Sequence, residues 1–133
     1  MSKNYGSDAK SLSLDFKIIA WGILVSFSLL LSGSIIIGCL ITFTNINKLV
    51  VQRLLIIFNY ISILMGAILT GSNVKKKGWL NGSIVGFGHM LLIFIISMLW
   101  LDALFNTSII IMAMIGLITG VIGGMSGINI VSK

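Results

Sequence analysis

Four long apolar runs, separated by short polar breaks, dominate the chain. The first extends from Phe16 to Phe43, carries Lys17 as its one formal charge, and gives way to polar residues between Thr42 and Asn47. The second opens with Lys48, Gln52 and Arg53, which lie at i, i+4 and i+5. They share a helix face from which long side chains reach back to the headgroups. It continues through Leu69 and closes at Thr70–Gly71–Ser72–Asn73. The third follows the Lys75–Lys76–Lys77 triplet, and the fourth begins at Ser108. At about 20 residues per crossing, each run is long enough to span a bilayer with tilt. Trp79 and Trp100 stand about 32 Å apart at 1.5 Å per residue, so one sits at each boundary of a hydrocarbon layer about 30 Å thick. The pattern predicts helices over about 16–43, 48–72, 78–105 and 108–131. Residues 1–15 read as a polar cytoplasmic tail and residues 16–133 as one transmembrane domain.

Basic residues set the orientation. Lys3, Lys10, Lys17, Lys75, Lys76, Lys77 and Lys133 fall on one side of such a bundle, and Lys48 and Arg53 on the other. The positive-inside rule assigns the richer side, and with it both termini, to the cytoplasm. The three connections are short, so consecutive helices are antiparallel neighbours. The expected fold is all-α, an integral membrane antiparallel four-helix bundle.

Composition narrows the chemistry. Of 133 residues, 57% are hydrophobic and only 9% charged, against about a quarter charged in soluble domains. The mean hydropathy of +1.13 likewise excludes a soluble globular domain and a disordered chain. The net charge of +6 suggests nucleic acid in another context, but the cations flank apolar runs and form no arginine-rich, aromatic-interleaved patch. The single cysteine, Cys39, excludes an internal disulfide and any CxxC motif. With no glutamate and the three aspartates at Asp8, Asp15 and Asp102, no paired carboxylates, triad, HExxH or phosphate loop can be assembled, and one His with one Cys does not make a metal site. No enzyme chemistry and no cofactor are expected. The first run is too long for a signal-peptide core and lacks an A-x-A site. Ile36–Ile37–Gly38–Cys39 imitates a lipoprotein processing box, but it lies late in an apolar run that continues past it, and it reads as a small cysteine inside a helix.

The glycines are patterned. Gly78, Gly82 and Gly86 fall at about 0°, 40° and 80° on a helix, and Gly116, Gly120, Gly123 and Gly127 at about 0°, 40°, −20° and 20°. Stripes of this kind let backbones approach closely in lipid, where packing and Cα–H···O contacts drive association. The two stripes are expected to face each other, or one of them to mediate self-association. Both lie mainly in the half of the bundle nearer the termini, with Gly22, Ser26, Gly66 and Gly71, while bulkier Ile, Leu and Phe dominate the other half apart from Gly33 and Gly38. The expected shape is pinched at that end and splayed at the other.

His89 is the one ionisable residue deep in the membrane, about 16 Å beyond Gly78. Such a group is by default a functional candidate, against the plainer role of a neutral histidine that joins helices through a polar partner. A lone histidine without a membrane carboxylate makes a poor proton relay. By depth, Ser28, Ser62 and Thr119 fall beside it near the midplane and Asn59 slightly further out, so a polar layer is expected there. The Lys75–Lys76–Lys77 triplet is read as the topology determinant, able to touch anionic headgroups.

Gly66-x4-Gly71, the basic loop, Lys77–Gly78–Trp79–Leu80–Asn81–Gly82, Gly86 and the closing Gly120-x2-Gly123–Gly124-x2-Gly127-x-Asn129 together resemble the YrzE-like family of small, uncharacterised membrane proteins of Gram-positive bacteria, roughly from residue 16 to 130. The resemblance implies four helices in the cell membrane and no established activity. Genes of the family often lie near a small accessory subunit of the preprotein translocase, which implies membrane biogenesis.

These observations lead to the expectation of a non-enzymatic accessory or scaffold protein of the bacterial cell membrane. Its partners would be membrane lipid and another integral membrane protein, or itself, with no nucleic acid and no identifiable small-molecule substrate. The alternative is a small homo-oligomeric transporter or pore; four-helix proton-coupled exporters of this size usually carry a membrane Glu, which is absent. A holin-like lesion former fits only size and charge.

Overall fold

A computed structural model describes residues 16–44, 46–74, 77–101 and 107–131. The tail 1–15, Lys75 and Lys76, and the expected end of the third helix at 102–105 lie outside the described residues. The chain forms four helices, α1 (Phe16–Phe43), α2 (Lys48–Asn73), α3 (Gly78–Leu101) and α4 (Thr107–Val131), each long and apolar enough to cross a membrane.

No proline interrupts the helices, and their polar side chains do not compete with the backbone ladder. Ser32, Thr42, Ser62, Thr70, Thr119 and Ser126 each donate a hydroxyl to the carbonyl four residues back, which satisfies these groups within their own helix where no water is available. At the start of α2, Asn47 caps the first turn by accepting from the Leu49 N–H at 3.2 Å. At its end, the Val74 N–H donates to the Thr70 carbonyl. Lys77 then adopts a left-handed φ of 56°, uncommon for a side-chain-bearing residue. Its carbonyl accepts from the N–H groups of Leu80 and Asn81 and from the Asn81 amide, so the reversal is tied into the first turn of α3.

The helices are not equivalent neighbours. α4 seats against both α3 and α2, while α1 packs on the other side of that pair, more on α2 than on α3. Among the described residues α1 and α4 do not touch. In cross-section this is a rhombus with α2 and α3 on its short diagonal.

Antiparallel packing brings the start of α1, the end of α2, the start of α3 and the end of α4 to one level, here called the near end. Gly22 lies against Gly66, Thr70 and Val85, and Gly124 against Gly71, Gly78 and Gly82. Among the described residues burial is concentrated towards this end: Ile19, Gly22 and Ser26 of α1, residues from 62 to 74 along α2, from 78 to 90 in α3 and from 116 to 127 in α4; further along, Gly33 is buried against Phe58. None of the described residues from 34 to 61, or from 91 to 115, is buried. The molecule is a wedge, close-packed at the near end and open at the far end.

Glycine produces the close packing. The rows Gly78–Gly82–Gly86 and Gly116–Gly120–Gly124 face each other so tightly that a Cβ on Gly82 would lie 2.7 Å from the Gly124 Cα. Gly123 faces Leu64 and Ala67 of α2, and Gly127 faces Ile68 and Ser72. The expected α4 stripe therefore splits: Gly116 and Gly120, with Gly124, face α3, whereas Gly123 and Gly127 lie on the adjacent face and serve α2. At the far end the pattern lapses: a Cβ on Gly38 meets nothing within 4 Å. Cys39 beside it is an exposed free thiol, in a helix that runs on to Phe43.

Candidate functional site

The first turns of α3 carry two adjacent ridges at i±4 spacing. Gly78, Gly82, Gly86 and Met90 form the ridge that meets α4. Asn81, Val85 and His89 form the next one. Val85 meets Gly22 of α1 and joins Ile19 and Ala67 in the apolar core. One turn further, His89 enters the space among α1, α2 and α3. Ridges at i±4 spacing run inclined to the helix axis, so the glycine row drifts away towards α4 as it climbs, and at the level of His89 the inward direction belongs to the neighbouring ridge.

His89 has no exposed surface. Its Nδ1 lies 2.8 Å from the Ser26 hydroxyl on α1, and its Nε2 lies 3.1 Å from Oδ1 of Asn59 on α2. Phe27 presses on the ring edge-on, with centroids 6.2 Å apart and planes at 64°. One imidazole therefore joins three helices through two hydrogen bonds.

The donor inventory fixes how the protons are arranged. Oδ1 of Asn59 only accepts, so Nε2 carries a hydrogen. In the neutral ring Nδ1 then accepts the Ser26 hydroxyl hydrogen. That hydroxyl also has the Ile23 carbonyl within 2.9 Å. Rotating the one hydroxyl hydrogen to Ile23 turns Ser26 into an acceptor and leaves Nδ1 able to hold a second proton. Both protonation states of the ring are fully hydrogen-bonded in one geometry. No Asp or Glu occurs between residues 16 and 101, so a charged ring has no carboxylate partner along these helices.

The structure sorts the sequence candidates. His89 and Asn59 come together. Ser62 is buried, but its hydroxyl goes to the Phe58 carbonyl at 2.9 Å. Thr119 sits on α4, on the side of α3 away from α1, with its hydroxyl on the Ile115 carbonyl at 2.8 Å. Ser28 is exposed. The partner that depth alone missed is Ser26, and helical phase finds it: Gly22, Ser26 and Gly33 fall within about 40° of one another on α1, whereas Ser28 is about 120° away from Gly22. The seven glycines Gly78, Gly82, Gly86, Gly116, Gly120, Gly123 and Gly127 all lie at helix contacts, and Lys77 is exposed at the near end. Among the described residues no three His, Cys, Asp or Glu side chains gather as a metal site.

A second buried polar group lies one turn below Val85. Asn81 is 4% exposed. Its amide nitrogen donates to the Lys77 carbonyl, but its Oδ1 is buried without a donor.

The wedge and its histidine lie within a family match covering residues 15–127, to a group described as a protein of unknown function, DUF3792. The chain belongs to the DUF3792 family. It is 25% identical over 113 residues to the uncharacterised membrane protein YrzE of Bacillus subtilis (strain 168), covering 85% of this chain and 75% of YrzE. No solved structure matches the chain. This DUF3792 member is a multi-pass membrane protein, with four membrane-spanning helices and a membrane-protein relative. The matched region ends at Gly127, so it includes the whole α3–α4 glycine contact and the Ser26–His89–Asn59 junction.

Proposed function

We propose that this protein is a non-enzymatic accessory or scaffold subunit of the bacterial cell membrane that receives a partner membrane protein against its far half. One observation carries the reading: among the described residues burial is concentrated towards the near end, and none from 34 to 61 or from 91 to 115 is buried. In lipid, apolar surface gains nothing by leaving the hydrocarbon, so association depends on fitted contact. The glycine-packed, histidine-tied near half serves as the base, and the unburied apolar side chains of the far half are the surface offered to a foreign helix. The excess of basic residues at the near end supports a cytoplasmic near end under the positive-inside rule, which would turn the far half to the outer leaflet.

Photo-crosslinking in native membranes tests this. A photoreactive amino acid is placed at far-half positions Ile36, Ile57 or Met98, and at the near-half position Met125, all of them exposed. The expected result is a discrete heterologous adduct from the far-half sites and lipid adducts alone from Met125. Far-half adducts at twice the mass of the 14.4 kDa chain support the homo-oligomeric transporter or pore instead, and equal labelling at all four sites contradicts both.

A further inference from the structure

Two neighbouring open depressions lie along α1, the first shared with α2 and the second on α1 alone. The upper one, at the near end, is about 420 Å³ and lies between Lys17, Ile18 and Trp21 of α1 and Leu69, Thr70 and Asn73 of α2. The lower one, about 440 Å³, runs along α1 from Trp21 past Leu24 and Ser28 to Ser32. Trp21 lines both, and the two in sequence along α1 are here called the trough. We propose that this trough binds a single anionic phospholipid drawn from the leaflet at the near end.

Length is the first argument. Lys17 to Ser32 spans about 22 Å at 1.5 Å per residue. Half of a bilayer about 40–45 Å thick, headgroups included, is also about 22 Å. The trough therefore extends from headgroup level to the midplane, the dimension of one lipid. Its polarity is graded in the same sense. Lys17 and the Asn73 amide stand at the mouth, both exposed. The Trp21 indole, 64% exposed, lies about 6 Å deeper, in the zone where indoles favour the interface. Below it the lining is Leu24, Val25 and Leu29 with Ser28 and Ser32, all of α1. Ser28 and Ser32 create the depression by being small, and the Ser32 hydroxyl is turned onto the Ser28 and Leu29 carbonyls at 2.8 and 3.1 Å, so it offers no polar demand to an acyl chain.

Charge selects the headgroup. No residue lining either cleft is acidic, and among the described residues Lys17 has no ion pair. A phosphodiester with net negative charge supplies the counter-charge at the mouth. A protein helix in the same place would desolvate Lys17 against a surface that need not neutralise it. The assignment does not depend on which side of the membrane the near end faces, nor on a partner at the far end.

The test is native mass spectrometry of the full chain in mild detergent with equal amounts of phosphatidylglycerol and phosphatidylcholine. One phosphatidylglycerol per chain is expected to be retained in preference. Lys17→Gln should lower that preference about fivefold, the effect of one lysine near a charged lipid surface. Lys48→Gln, which removes an exposed cation at the far end, should leave it unchanged. Ser28→Trp fills the lower trough and should reduce retention of both lipids, with helicity by circular dichroism showing that each variant is folded. Equal retention of the two lipids, an equal loss in Lys48→Gln, or undiminished binding in folded Ser28→Trp overturns the proposal.

Discussion

Adding one methyl group at each of two glycines isolates the contact on which the near end depends. An ideal Cβ at Gly82 lies 2.7 Å from the Cα and 2.9 Å from the N of Gly124, and also strikes the Gly120 carbonyl oxygen. These are backbone atoms, so no rotamer change relieves the overlap. Because carbon atoms rest at about 3.5–4.0 Å, α3 and α4 must separate by up to about 1 Å, and the whole ridge from Gly78 to Gly86 loosens with them. Overpacking of this kind costs about 1–3 kcal/mol. Alanine recovers up to about 1 kcal/mol through its helix preference over glycine. Gly82→Ala is therefore expected to be destabilising by about 0–2 kcal/mol. Gly38→Ala places the same methyl where nothing lies within 4 Å, so only the favourable part remains. The difference between the two variants cancels the common helix term and should be about 1–3 kcal/mol, with Gly82→Ala the weaker. Reversible unfolding of the purified protein in mixed micelles, by detergent titration or steric trapping, measures it. A difference within about 0.5 kcal/mol would refute the close α3–α4 contact.

Three further outcomes follow from the polar groups, all read in the same unfolding assay. His89→Ala removes two hydrogen bonds and leaves a cavity among three helices, for an expected loss of about 2–4 kcal/mol, while His89→Gln should be milder and preserve expression and fold. If His89→Gln also preserves every phenotype, the histidine acts only as a tie. Asn59→Leu should cost about 0.6–1.7 kcal/mol, whereas Thr119→Ala, which touches only its own helix, should change stability by less than about 0.5 kcal/mol. Asn81→Leu removes a buried acceptor whose desolvation costs about 1–3 kcal/mol at the expense of one amide bond worth about 1 kcal/mol, so it should be neutral or stabilising, and a large loss would point to an unseen donor on Oδ1.

The number of helices was legible from Lys17, Lys48, the lysine triplet and the tryptophans, because crossing a membrane demands length and lack of charge above all. The α3 glycine row was legible for the same kind of reason, since only glycine permits the approach seen at Gly82 and Gly120. The expected α4 stripe, however, mixes two faces: Gly123 and Gly127 face α2, and Gly124 completes the row against α3. The arrangement around α1 was not. In a soluble bundle, a polar outer face would tell which side of α1 points inward. Here the outward face, with Trp21, Leu24 and Leu31, is as apolar as the inward one, and the information sits in a few small residues. That is why depth alone put Ser28 and Thr119 beside His89, while the phase shared by Gly22, Ser26 and Gly33 identifies the real partner. The drift of an i±4 ridge explains the other difference: a fixed angular sector joined His89 to the glycines, whereas the inclined rows of α3 send the glycines to α4 and the histidine to α1 and α2.

We infer four crossings with residues 1–15 and the residues after α4 on the cytoplasmic face. Single-cysteine labelling with an impermeant maleimide tests this directly, in a Cys39→Ser background, with the thiol moved to Thr44, after α1, or to Ser132, after α4. Thr44→Cys should react in intact cells, and Ser132→Cys only once the membrane is opened. Labelling of Ser132→Cys from outside intact cells, or recovery of the folded chain in buffer without detergent, contradicts the account.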